Sequence, residues 1–181
     1  MESNKGPDSE NSERQQMLAA LPHVRRFAIS LAGSRADGDD LLQTTVERVL
    51  TKGVPEDVDM RKWMFRICKN IWIDEIRARN VRQRAAEGQD ITIHDRPEGE
   101  TEIMDKLKLA QVTAAMDNLP DEQRTVLSLV AIEGYSYKDT AEILETPIGT
   151  VMSRLARARK NLAAQFSDGS GPFSPAQAFR A

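Results

Sequence analysis

The chain has 181 residues, with 25 Lys and Arg against 28 Asp and Glu, a formal net charge of −3 and a single cysteine, Cys68. One cysteine excludes an internal disulfide framework and agrees with a reducing compartment. No run is long and apolar enough to span a bilayer, and the N-terminus MESNKGPDSENSERQQ is polar, unlike a signal sequence, so a cytoplasmic chain with no direct membrane insertion is expected.

Aromatics make up only 5% of the chain and no sustained alternating pattern appears, which predicts an all-α fold. Residues 1–16 read as disordered on composition. Met17 to Ala32 places Leu21, Val24, Phe27, Ala28 and Leu31 at helical spacing, and Gly33-Ser34 breaks the helix. Asp37 to Lys52 forms a second amphipathic helix with Leu41, Leu42, Thr45, Val46 and Val49 inward. Gly53-Val54-Pro55 ends it, and Asp59 can cap a third helix running to about Arg84.

Residues 85–100 contain Gly88, Pro97, Gly99 and many acids with no apolar period, and read as a flexible linker. A helix is predicted from Thr101 to Asn118. Pro120 opens the next, with Val126, Leu127 and Val130 inward. The tail from residue 167 is rich in Gly, Ser and Pro. Two small helical domains, 17–84 and 101–166, joined by an acidic linker are the expected organisation.

The segment Tyr135 to Lys160, YSYKDTAEILETPIGTVMSRLARARK, carries the sharpest signal. Gly134 suits a left-handed helix end, Ser136 can cap the next helix, and Asp139 stands near its positive end. Thr146-Pro147 breaks that helix and starts another. At about 3.6 residues per turn, Ile148, Val151, Leu155, Ala158 and Leu162 form a core stripe. Ser153, Arg157 and Lys160 fall opposite, flanked by Thr150 and Arg154. This is a helix-turn-helix with a basic second helix, the pattern that lays a helix in a DNA major groove. A helical hairpin with a solvated basic face is the structural alternative.

A second basic cluster lies in the third helix. Arg66, Asn70, Arg77 and Arg84 share one stripe, with Lys62 and Ile73 beside it and Trp63 nearby. Cations beside rings and an amide suit an opened single strand. The plainer reading makes Trp63 and Trp72 core residues and the arginines a solvated face.

Three strings then narrow the reading: DGDDLLQTT at Asp37 to Thr45, RKWMFRICKNIWIDEIRAR at Arg61 to Arg79, and LPDEQRTVLSLVAIEGYSYKDTAEILETPIGTVMSRLARAR at Leu119 to Arg159. In order and spacing the chain resembles the extracytoplasmic-function sigma factors of bacterial RNA polymerase. The resemblance implies a subunit that binds core polymerase, recognises promoter DNA and promotes strand opening, with an anti-sigma factor as partner. It implies polymerase contacts at Asp40 and Gln43, and minus-ten contacts through Asn70 and Trp63, beside Arg66 and Arg77 from the basic stripe. For the minus-thirty-five element it points to Ser153, Ala156 and Arg157, beside Thr150, Arg154 and Lys160 from the helical projection. The family often has a basic residue where this chain has Met152.

A regulator that binds operator DNA without polymerase is the alternative. An enzyme is disfavoured, because no metal-ligand cluster, glycine-rich phosphate loop or nucleophile–base pair is found, and no cofactor or metal is expected. Cys68, inside an apolar helical stretch, reads as a buried structural cysteine.

Overall fold

The computed structural model describes residues 7–55, 57–85 and 115–167. The acidic linker, most of the helix predicted from Thr101 to Asn118, and the tail after Ser167 lie outside the described residues. Every regular element within them is helical.

Helix α1 spans Pro7–Ala32. It begins well before Met17, so residues 7–16 are helical where composition favours disorder. Proline is well suited to a first helical turn, and each residue added to an anchored helix brings one backbone hydrogen bond. Gly33, at φ +77, ends α1 and donates to the Ile29 carbonyl at 3.0 Å. Helix α2, Arg35–Lys52, is capped by Ser34, whose hydroxyl accepts from the Asp37 N–H at 3.1 Å. Gly38 sits at the crossing of α1 and α2. A Cβ there would fall 2.6 Å from Ile29 Cγ1 and 2.7 Å from its Cα, so only glycine fits.

Helix α3, Met60–Ala85, is capped by Asp59, which accepts from the Lys62 N–H at 2.8 Å. Val24, Phe27, Leu31, Leu41, Met64, Phe65 and Cys68 fill the space between these three helices. Buried Thr45 donates its hydroxyl to the Leu41 carbonyl at 2.7 Å, which removes the cost of an unpaired polar group.

Helix α4, Asp121–Leu127, follows Pro120 and runs directly into a π-helical turn, Ser128–Ile132. Gly134, at φ +73, then turns the chain into Ser136, which caps α5, Tyr137–Leu144. The break after α5 falls on Glu145, held left-handed at φ +53, one residue before Thr146-Pro147. Helix α6, Ile148–Ser167, completes the fold. Val151, Leu155, Ala158 and Leu162 are buried as the projection predicts. Ile148 is not: it is 48% exposed, because the first turn of α6 extends past the end of the core.

The two helical units share one apolar cluster. The Phe65 ring meets Phe27 edge-on at 5.0 Å and Tyr135 edge-on at 5.5 Å, linking α1, α3 and the turn before α5. Arg124, 8% exposed, donates to the Leu31 carbonyl at 2.7 Å and to the Asp117 carbonyl at 2.7 Å. The Leu31 carbonyl is in the last turn of α1, where helix carbonyls lack partners of their own.

Candidate nucleic-acid interface

The outer face of α6 is open. Ser153, Arg157 and Lys160 are all exposed, with Ala156 among them. Thr150 is half-buried, and its carbonyl accepts from the Ser153 hydroxyl at 3.0 Å. Arg154 differs from its neighbours. It is 24% exposed and pairs with Glu122 of α4 at 2.7 Å, so part of its charge is spent inside the fold. From Ile148 to Ser167 the helix contains no acid. Its exposed side is therefore a cationic and hydroxyl-bearing strip of a kind that suits phosphates and base edges.

The stripe on α3 divides in two. Asn70 and Arg77 are exposed, and Arg77 lies 3.9 Å from Asp74 on its own helix. Arg66 is covered by the second unit. Its Nη2 donates to the Glu142 carbonyl at 3.1 Å, and its Nη1 lies 3.4 Å from Glu145. Lys62, one turn earlier, donates to Asp139 at 2.6 Å and to Glu142 at 2.9 Å. Hydrogen bonds from Asp139 and then Glu142 hold the Lys62 ammonium well above the usual lysine range, against a smaller effect of burial. The same contact, with Ser136 second, holds the Asp139 carboxyl below its usual range.

Trp63 is half-buried, with the Arg66 guanidinium 5.7 Å from its ring and its indole N–H buried without an acceptor. Trp72 is the core tryptophan, 5% exposed. Lys69 lies further along the same side, where burial lowers the ammonium pKa and Glu145 opposes that effect.

A second bridge between the units escapes a sequence reading. Glu133, whose side chain is 1% exposed, accepts from Arg26 Nε at 2.7 Å and Arg26 Nη2 at 2.8 Å, and His23 Nδ1 lies 3.0 Å from it. The pairing of Asp139, Glu142 and Glu145 across to α3 likewise escapes a sequence reading, in which Asp139 only faces the positive end of its own helix. These acids recur every three residues on and just past one short helix, and they face Lys62 and Arg66.

Comparison with known proteins then decides the family. A family model described as Sigma-70, region 4 matches residues 109–162, and one described as the Sigma2 domain of PhyR matches residues 17–69. The ECF RNA polymerase sigma factor EcfG of Rhodopseudomonas palustris is 37% identical over 175 residues, covering 94% of each chain. The chain belongs to the ECF sigma factors of RNA polymerase.

The SigC factor of Mycobacterium tuberculosis is 33% identical to this sigma factor over 153 residues, covering 81% of this chain and 78% of that one. Among solved structures, the sigma factor RpoE of Bartonella quintana, in complex with the anti-sigma factor NepR, matches with a TM-score of 0.69 and 28% identity. The match covers 87% of this chain and 98% of that one. In this sigma factor Asp40 and Gln43 lie exposed on α2, three residues apart, and Gln43 donates to Glu47 at 3.1 Å. Among the described residues no helix is long and apolar enough to cross a membrane, and no cluster of metal-ligating side chains is found.

Proposed function

We propose that residues 17–84 form the polymerase-binding and minus-ten module and residues 101–166 the minus-thirty-five module. Asp40 and Gln43 contact core polymerase. Arg157 and Ser153 reach base edges in the upstream major groove, while Lys160, Thr150 and Arg154 serve its phosphates. Trp63, Arg66, Asn70 and Arg77 receive the opened strand. Stacking and hydrogen bonds there offset the few kcal/mol of unstacking a base. The chain binds and positions, and turns over no substrate of its own.

The described arrangement is the closed form. Lys62 and Arg66 cannot serve a DNA strand while they hold Asp139, Glu142 and Glu145. Engagement of the minus-ten strand therefore requires α5 to leave α3. Exposed or half-exposed ion pairs are worth about 0–1 kcal/mol each, so these contacts are weak enough for competing phosphates to displace. An anti-sigma factor is the expected inhibitory partner, in line with the complex formed by the Bartonella relative.

The observation that carries the reading is the open, acid-free outer face of α6 behind a capped tight turn, in a chain of this family. Transcription with purified core polymerase on a promoter-bearing template tests it. The expected result is initiation at a defined start site only when the chain is added. Core enzyme that starts no more specifically with the chain than without it would refute the proposal.

A further inference from the structure

Four large hydrophobic side chains are strongly exposed among the described residues: Leu18 at 53%, Leu50 at 66%, Ile148 at 48% and Met152 at 53%. Leu18 and Leu50 stand singly on α1 and α2, which is ordinary for a protein surface. Ile148 and Met152 are different. They lie four residues apart on α6, so they are neighbours on the helix surface, at the edge between its buried stripe and its exposed side.

Gly149 stands between them. Three other glycines of the fold take positive φ, and Gly38 is forced by its contact with Ile29. Gly149 has neither reason. It is the second residue of α6, and a Cβ built on it would meet nothing within 4 Å. Glycine has a lower helix propensity than alanine, and no contact among the described residues requires it. A glycine with empty space before it fits the close approach of an outside surface. Because α6 holds no acid and its open face is basic, that surface is anionic.

We propose that the first turns of α6 read thymine by its methyl group. Met152, with Ile148 one turn before it, packs on the C5-methyl of thymine in the major groove, and Gly149 lets the helix come close enough. The thymine methyl is the apolar feature that base edges offer in that groove. A thioether can form no bidentate bond to guanine, so Met152 selects by shape where a cation would select by hydrogen bonding. The inference rests on the assignment of α6 to the minus-thirty-five element.

The test uses core polymerase with the full chain and a duplex library randomised across the upstream block. Selected duplexes are then remade with uracil in place of thymine, one position at a time. Thymine is expected at one or two selected positions, and uracil there weakens binding about fourfold, the worth of one buried methyl group. Met152→Ala removes the uracil penalty. Gly149→Ala raises the thermal midpoint of the protein yet weakens binding to the selected duplex several-fold, a combination that misfolding cannot produce.

Tolerance of uracil at every position overturns the proposal, as does a penalty that persists in both Met152→Ala and Ile148→Ala. Variants that keep the selected sequence but lose core polymerase would make the ridge a protein-docking surface, and the proposal would be wrong. If the wild-type holoenzyme selects no upstream sequence, the assignment of α6 itself fails, a result separable from the others.

Discussion

Arg124 and Cys68 mark two ways in which a single residue can matter without touching a partner. The Arg124 guanidinium is buried and donates to carbonyls at the end of α1 and in the stretch before α4, with the Asp117 carboxylate 3.8 Å away. Charged hydrogen bonds of this kind are worth about 1.5–3 kcal/mol each, and their loss leaves the carbonyls unpaired. Arg124→Ala is expected to cost about 3 kcal/mol in urea unfolding, whereas an exposed change such as Lys160→Ala stays within about 0.5 kcal/mol. Equal midpoints for the two variants would show that Arg124 does not join the units. Cys68 is fully buried, and burial pushes its thiol up to about 12, against a hydrogen bond with Thr45 that works the other way. A free thiol titrates near 8.5, so between about pH 8.5 and 12 the unfolded chain loses a proton that the folded chain keeps, and stability falls as pH rises through that window. At pH 8 the native protein should alkylate with iodoacetamide at least about a hundredfold more slowly than in urea. Rapid native alkylation would contradict a structural cysteine.

At the scale of the element, α6 divides its labour between two edges. Its buried edge repeats Val151, Leu155, Ala158 and Leu162, and its open edge carries Ser153, Arg157 and Lys160. Arg157→Ala should cost about 1–3 kcal/mol on the preferred promoter and relax the preference at one position. Lys160→Ala should weaken all duplexes alike and lower the salt slope by about 1. Binding measured at several salt concentrations on matched and mismatched duplexes separates the two. Identical behaviour of the two variants would remove the distinction between a base contact and a phosphate contact. The π-helical turn at Ser128–Ile132 serves the neighbouring element. It carries the chain to Glu133 and Gly134, which set Glu133 against α1 and turn Tyr135 onto Phe65.

For the whole molecule, ion pairs at Lys62 and Arg66 add a pH-dependent part to the apolar contact between the two units. The Asp139 carboxyl is held below its usual range, so its contribution is present above about pH 3.9 and is lost as pH falls through the lower folded value. Lys62 is raised, so its contribution is complete below about pH 10.4 and is lost only at higher pH. Closure is therefore fully supported near neutrality and loosens in acid. Replacing Asp139, Glu142 and Glu145 by their amides should enlarge the radius of gyration at neutral pH and strengthen binding of a minus-ten single strand by roughly tenfold or less. Scattering and strand-binding curves that match those of the wild type would show that charge does not hold the units together.

The sequence by itself determined what depends on neighbours a turn or two away. Ser34, Asp59 and Ser136 cap the helices they precede, Gly33, Gly53 and Gly134 take positive φ where the chain reverses, and the open face of α6 follows from its period. The resemblance carried by three strings gave the family for the same reason, since short segments hold those motifs intact. Only the tertiary structure decided that Arg66 lies under α5 while Asn70 and Arg77 stay open, although all three share one stripe. It also decided that Glu133 is buried against α1 and that Ile148 leaves the core. Lys62 and Asp139 are 77 residues apart along the chain. A contact at that distance is fixed by how two helical units pack against each other, and no local period records it.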